Sequence, residues 1–337
     1  MDDRPDDLAR LMHEALETLG WGAGPENIAE QVRRLDAGLP AEDEFSVICA
    51  WLGKCELIHK LDQHQMPLNS KGKYQVPDLL ARFTTQSNER PVLIEVKSKA
   101  GKTLSFKPDY LKRLQDYADL MGMPLLIAWK YHALWVLFEP KHLKKSIKNF
   151  NISIGDAMCE SLMGILLGDI AYKIGEGAGV HLQCDKEALV AEETVENAIQ
   201  QSWNTTITEV RFTDRNSELI EAPSLETQTL FKIWDLEELL EYHDDHIRIS
   251  YTAPGDGMRF AHMSLVDLLR LWAPDQEKMS WRRVARKDRF TSIEDFRGAV
   301  EKAMNEKVVH FILNMLPRSI PKFVNEPDAH GNLTLGP

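Results

Sequence analysis

Two acidic residues and a lysine occur at a spacing that suits chemistry on a phosphate group. Asp78 follows a proline, and the sequence Glu95-Val96-Lys97 begins seventeen residues later. Side chains two residues apart in a β-strand point to the same face, so Glu95 and Lys97 are expected to lie on one side of a sheet. A turn between two neighbouring strands would bring Asp78 beside Glu95.

A divalent cation is the expected occupant of such a site. Two carboxylates held close together repel each other unless a cation neutralises them, and Mg²⁺ prefers oxygen ligands. A bound metal acidifies water and neutralises a phosphate, while an ammonium group stabilises the transition state. We therefore expect Asp78, Glu95 and the Val96 carbonyl as metal ligands and Lys97 as a catalytic residue. Alternating charges on an exposed strand are common, however, so the Glu95–Lys97 pair alone does not indicate catalysis.

The segments around this set are typical of an α/β fold. Apolar alternation predicts a strand over residues 92–98, and helical spacing of apolar residues predicts helices over 41–54 and 108–121. Four further strands are expected, over residues 56–61, 74–84, 125–129 and 133–138. The order of helix, strands, helix and strands predicts a mixed central sheet flanked by helices.

The chain is 337 residues long, which predicts two domains. We expect an N-terminal helical segment over residues 1–40, a core over 41–148 that contains the acidic pair, and a C-terminal α+β domain over 149–337. Helices are predicted in the last of these over 157–174, 236–242, 265–272 and 293–316, and strands over 207–212 and 247–251.

The motif resembles that of a known group of nucleases. Residues 76–78 together with 92–99 are similar to the PD-(D/E)xK signature of restriction-endonuclease-like enzymes. The helix and strand predicted from residues 110–118 and 124–130 are similar to those that follow the motif in archaeal Holliday-junction resolvases and their relatives. The resemblance covers about residues 41–140.

This resemblance implies a restriction-endonuclease-like fold and a DNA phosphodiesterase that uses Mg²⁺, with Mn²⁺ as a substitute. It implies a metal site at Asp78 and Glu95, with Lys97 as the catalytic lysine. Related nucleases often act as homodimers or in larger complexes, which we expect here too, and restriction or antiviral defence is a role that the analogy suggests. The alternative is a catalytically inactive DNA-binding or assembly subunit that retains the fold. RNA as the substrate is a weaker option.

The resemblance also implies an acidic residue on the helix before the sheet. Glu44 fits best, because it shares one side of that helix with apolar residues, while Glu42 and Asp43 are weaker candidates. An exposed acidic first turn, favoured by the helix dipole, would explain all three equally well. Gln115 on the later helix is a further candidate catalytic residue.

Charge is distributed unevenly along the chain. The net charge is −12, but residues 54–145 carry 16 basic and 9 acidic residues. Phosphate binding needs a local cluster of lysines or arginines, so this block is compatible with DNA. The residues expected to bind nucleic acid are Ser70, Lys71, Lys73, Lys99, Lys102 and Lys107. A solvated lysine-rich surface is the alternative.

Several classes of protein are disfavoured by the composition. No run of 18 apolar residues occurs, which argues against a membrane span, and the acidic N-terminus does not resemble a signal peptide. The four cysteines fit no zinc motif. We expect a cytoplasmic protein without a membrane partner.

Overall fold

The computed structural model describes residues 41–62, 65–195, 198–271 and 296–325, together with Gly24, Glu26 and Asn27. The predicted N-terminal helical segment over residues 1–40 therefore lies almost entirely outside the described residues. The chain divides into two compact units. The N-terminal unit includes residues 41–168 and 315–325, and the C-terminal unit includes 169–271 and 296–314, apart from the undescribed positions.

A five-stranded mixed sheet forms the centre of the N-terminal unit. The strands of this unit are β1 (Cys55–Lys60), β2 (Leu79–Phe83), β3 (Val92–Ser98), β4 (Thr103–Phe106), β5 (Leu125–Tyr131), β6 (Leu134–Phe138), β7 (Lys144–Lys145) and β8 (Phe150–Ser153). The central sheet has the order β1-β2-β3-β5-β6. β3 and β5 run parallel, and every other neighbouring pair is antiparallel.

Helices flank this sheet, as the sequence predicted. They are α1 (residues 41–51), α2 (Pro108–Met121), α3 (Ile154–Cys159) and α4 (Met163–Leu167). α2 begins at a proline, whose fixed φ suits the first helical position, and ends at Gly122, which adopts the left-handed conformation at φ 64°. Its buried residues pack with Leu93 of β3 in one hydrophobic cluster. α2 thus lies on the face of β3 that carries the odd-numbered side chains.

Most of the elements predicted around the motif are confirmed. The predicted bounds of β3 and α2 agree with the structure, and β1, β5 and β6 differ by one or two residues at their ends. The predicted strand over 74–84 is too long, because β2 begins only at Leu79. Pro77 has no N–H to donate, so it cannot extend the hydrogen-bonded ladder backward.

A second, three-stranded sheet belongs to the N-terminal unit, in the order β4-β8-β7. β4 pairs with β8 from Thr103 opposite Ser153 to Phe106 opposite Phe150. Because this pairing ties residues 150–153 to the core, the compact unit extends to Gly168 rather than ending at residue 148 as predicted.

The C-terminal unit is rich in β-structure and also contains helices, as expected for an α+β domain. Its strands are β9 (Ile170–Ile174), β10 (Gly179–Val195), β11 (Ala198–Thr213), β12 (Leu219–Ile220), β13 (Glu237–Tyr242), β14 (His246–Thr252), β15 (Arg259–Phe260) and β16 (Val309–Asn314). Its helices are α5 (Leu225–Ile233), α6 (Ala261–Leu271) and α7 (Phe296–Asn305). The strands form two sheets, in the orders β12-β11-β10-β14-β13 and β15-β9-β16.

Three helices predicted in this half of the chain are wrong in part or in whole. Residues 237–242 form β13, which pairs with β14 along its whole length. Residues 309–314, predicted as helix, form β16 and pair with β9. β9 itself occupies the end of the predicted helix over 157–174. In each case pairing with another strand overrides the local preference.

None of the helices in the described part of the chain is long and apolar enough to cross a bilayer.

Candidate active site

Asp78 and Glu95 meet where the ladder between β2 and β3 ends. The last registered pair is Leu79 opposite Ile94, so the same antiparallel register carried one residue further sets Asp78 opposite Glu95. Directly opposed residues in such a pair point to the same face of the sheet. The Asp78 carboxylate also accepts a hydrogen bond from the Val96 N–H at 2.7 Å, which ties it to β3 beyond the ladder.

Glu95 is fully buried, and its two oxygen atoms have different surroundings. Oε1 contacts the Lys97 ammonium and accepts a hydrogen bond from the Tyr110 hydroxyl at 2.5 Å. Oε2 is buried and has no hydrogen-bond partner among the described residues. Burial of an unsatisfied carboxylate oxygen is costly, so this atom is suited to a ligand that the protein itself does not provide.

Lys97 connects the acidic pair to solvent. Its Nζ lies 3.2 Å from the Val96 carbonyl oxygen and 5.3 Å from the centroid of the Tyr110 ring. The Lys97 side chain is 33% exposed, and Asp78 is partly exposed, whereas Glu95 is enclosed. Movement of the lysine side chain would therefore open Glu95 to solvent.

The pKa shifts at this site arise from burial and from an excess of negative charge. Burial raises the pKa of Asp78 well above its usual value, and the neighbouring Glu95 carboxylate raises it further, against the opposing effect of Lys97. Burial lowers the pKa of Lys97, but the carboxylates of Glu95 and Asp78 outweigh it and leave that pKa above its usual value. Burial and Glu95 also raise the pKa of Tyr110.

The oxygen donors at this place fit a hard divalent cation. Two carboxylates on one face, one with a buried free oxygen, and the adjacent Val96 carbonyl resemble the ligand set that Mg²⁺ takes when it keeps water or phosphate in its remaining positions. No cluster of three or more Asp, Glu, His or Cys side chains suited to a metal occurs within the described residues. The protein would thus supply only part of a coordination shell.

Comparison with known proteins shows that the segment around this site is similar to a described family. Residues 67–166 match the family model of the archaeal Holliday junction resolvase, Hjc. This match contains Asp78, Glu95 and Lys97, and it confirms the resemblance that their spacing suggested. We refer to residues 67–166 as the Hjc-like segment. It covers less than half of the chain. It contains neither α1 nor any part of the C-terminal unit.

A solved structure shares the same family name. The Holliday junction resolvase Hjc from the archaeal hyperthermophile Archaeoglobus fulgidus is 22% identical, over 30% of this chain and 76% of that chain, with a TM-score of 0.25. No curated protein matches the chain.

The helix acid predicted from sequence, Glu44, contacts residues of β5 and β6. Its carboxylate accepts hydrogen bonds from Lys130 Nζ at 2.6 Å and from Trp135 Nε1 at 2.9 Å, and the side chain is buried. Glu42 is the acid of α1 whose charge acts on Asp78. It pairs with Lys60 at 2.9 Å, and burial, together with the charges of Asp43 and Glu95, raises its pKa against the effect of Lys60.

Gln115 is exposed on α2, and the residue of this helix that hydrogen-bonds to Glu95 is Tyr110. Tyr110 was not among the site residues predicted from the sequence. A signal was present, since the hydroxyl of a tyrosine on a buried stripe usually requires a polar partner.

The residues predicted to bind nucleic acid are distributed over two regions of the Hjc-like segment. Ser70 lies in a 3-10 helix (Leu68–Gly72), where its hydroxyl donates to Gln65 Oε1 at 3.3 Å. Lys71 and Lys73 are exposed, and the Lys71 carbonyl accepts a hydrogen bond from Arg113 of α2 at 3.0 Å. The second region follows β3 and consists of three exposed lysines, Lys99, Lys102 and Lys107.

Proposed function

We propose that the Hjc-like segment is a metal-dependent endonuclease that hydrolyses DNA phosphodiester bonds. The observation that carries this proposal is the Asp78 carboxylate opposite the Glu95 carboxylate, with the Lys97 ammonium against the second of these. The similarity of the segment to a family of Holliday junction resolvases supports DNA as the substrate.

Each residue has a separate task in this proposal. Asp78, Glu95 and the Val96 carbonyl would hold Mg²⁺, or Mn²⁺ in its place, and the cation would activate water and offset phosphate charge. Lys97 would leave Glu95 free for the cation and would stabilise negative charge on the phosphate. Tyr110 holds Glu95 Oε1 in place throughout, because its hydroxyl donates directly to that atom.

We further propose that the chain works as a homodimer or within a larger complex in the cytoplasm. Cleavage of both strands of a duplex requires two active sites or two successive events, and the pair of Asp78 and Glu95 would supply one site in each chain. Restriction or antiviral defence is consistent with a nuclease unit joined to a separate β-rich unit.

One feature favours a different function. Glu95 is fully buried, and Oε1 already has two partners. A protein that had lost activity but kept its ion pair would have this arrangement. The alternative proposal is therefore a DNA-binding or assembly subunit that does not cleave.

The decisive experiment is incubation of the full chain with linear duplex, single-stranded, circular and four-way-branched DNA, and with RNA, in Mg²⁺. Wild type should cut at least one DNA substrate, whereas Lys97→Ala should not. EDTA should stop the reaction, and added Mg²⁺ or Mn²⁺ should restore it. Calorimetry separates the alternatives, because a catalytic site should bind a divalent ion in wild type and lose it in Asp78→Asn. Cleavage by wild type and Lys97→Ala at equal rates would contradict the assignment.

A further inference from the structure

The turn between β7 and β8 presents an isolated apolar side chain among lysines. Ile147 is 98% exposed. The turn is closed by a 2.7 Å hydrogen bond from the Ser146 N–H to the Asn149 carbonyl. From Lys141 to Ser153 the sequence contains four lysines and no acidic residue, although the whole chain has a net charge of −12.

Two of these lysines have no ion-pair partner within the described residues. Lys141 pairs with Glu139, and Lys144 lies 3.4 Å from Asp156, but Lys145 and Lys148 make no such contact there and are exposed. Their charges are therefore available to an external anion.

The register of the small sheet aligns a third lysine with this turn. Phe106 of β4, Phe150 of β8 and Lys145 of β7 form one row across the three strands. Carried one residue further, the same register sets Lys107 across from Asn149. Lys107 is exposed and has no ion-pair partner in the described chain.

A short chain of contacts joins the turn to the acidic pair. Phe106 stacks on Tyr110 with ring centroids 6.2 Å apart, and the Tyr110 hydroxyl bonds to Glu95. The small sheet is thus joined to Glu95 through two successive side-chain contacts, and one turn of duplex DNA spans about 34 Å. A nucleic acid seated at the acidic pair would be long enough to reach the turn.

We propose that Lys107, Lys145, Ile147 and Lys148 form a DNA-contacting element, which we call the basic turn. This inference rests on the proposed function. The three lysines bind backbone phosphates, while Ile147 packs between or against bases at an opened step. Apolar wedges flanked by cationic residues act in this way in proteins that kink DNA. An acidic protein surface would pair with the lysines. It would not explain a fully exposed isoleucine at their centre.

The test measures binding of fluorescein-labelled duplex and four-way-branched DNA by anisotropy, in EDTA and over a series of KCl concentrations. The double variant Lys145→Gln/Lys148→Gln should make the slope of log K against log salt less negative by about 0.9 for each phosphate contact removed, roughly 1.8 in total. Lys107→Gln should contribute about 0.9 more. Ile147→Ala should lower affinity about tenfold without changing the slope, because it removes apolar contact and no charge.

Matched controls exist in the same unit. Lys322 lies by the β2–β3 turn, where its carbonyl accepts from the Ser87 hydroxyl at 2.7 Å. Leu120, near the C-terminal end of α2, is 63% exposed. Lys322→Gln and Leu120→Ala should leave affinity and slope unchanged.

The outcomes separate this inference from the proposed function. Cleavage by wild type, with basic-turn variants indistinguishable from the controls, would overturn the inference alone. Absence of both DNA binding and cleavage by wild type would overturn both. A less negative slope for the lysine variants, with a loss of affinity for Ile147→Ala, would support the basic turn even if the chain did not cleave.

Discussion

The Tyr110 hydroxyl, in the first turn of α2, donates a hydrogen bond to Glu95 Oε1 at 2.5 Å. This bond places an aromatic residue between the small β4-β8-β7 sheet and the acidic pair, because Tyr110 also stacks on Phe106. The position of Glu95 therefore depends on α2 as well as on β3.

Tyr110→Phe should reduce both stability and cleavage. The substitution keeps the ring contacts with Phe106 and Lys97 but removes one donor from a buried carboxylate, so the free energy of unfolding should fall by about 1 kcal/mol. Urea unfolding and cleavage rates measure the two effects. Tyr117→Phe is the matched control, because the Tyr117 hydroxyl makes no hydrogen bond among the described residues. Equal effects of the two substitutions would remove the role assigned to Tyr110.

Lys97→Ala should separate metal binding from cleavage. The Lys97 ammonium competes with a divalent cation for Glu95, so its removal should retain or strengthen Mg²⁺ binding while cleavage falls at least about a hundredfold. Glu95→Gln should instead weaken both. Calorimetric titration with Mg²⁺ provides the affinity. If Lys97→Ala lost the ion as completely as Glu95→Gln, the lysine would belong to the binding site and the competition would not exist.

Stability without metal should fall as pH rises, because of Asp78. Its pKa is raised in the folded chain above the unfolded value of about 3.9. The stabilising effect of its proton is thus complete below that value and is lost as pH rises through the folded pKa. Each unit by which the folded pKa exceeds the unfolded pKa corresponds to about 1.4 kcal/mol of folding stability.

Asp78→Asn should abolish this dependence and raise the free energy of unfolding at neutral pH in EDTA, since the amide oxygen can still accept from the Val96 N–H. Chemical unfolding from pH 4 to pH 8 compares the two proteins. If the free energy of unfolding changed with pH by the same amount in wild type and variant, the Asp78 carboxylate would not be the cause of the pH dependence.

Substitutions of Glu42 and Glu44 should affect different properties, metal affinity for Glu42 and stability for Glu44. Glu44→Gln leaves the Lys130 ammonium without its carboxylate in a mostly buried setting, so it should cost roughly 3 kcal/mol of stability, with little effect on cleavage by the folded protein. Glu42→Gln removes a charge that acts on Asp78 and Glu95, and Mg²⁺ affinity should fall by about threefold to tenfold. Thermal unfolding and Mg²⁺ titration of both variants distinguish them. A reversed pattern would restore Glu44 as the helix acid.

Local sequence determined the elements that carry the chemistry. Alternation of apolar residues was sufficient to place β3 correctly, and a proline at one end and a glycine at the other delimited α2. The spacing of Asp78, Glu95 and Lys97 predicted a shared face because strand geometry repeats every two residues. These features depend on neighbours along the chain, and so the sequence was enough to find them.

Only the tertiary structure decided which side chains complete the site and how the second half of the chain folds. Glu42 and Glu44 lie on one short helix, and the distant Lys60, Lys130 and Trp135 determine what each one contacts. Residues 309–314 lie in a predicted helix but form a strand because the distant β9 pairs with them. Contacts between residues distant in sequence leave no periodic signal within either segment, since their energy arises only when the two segments meet.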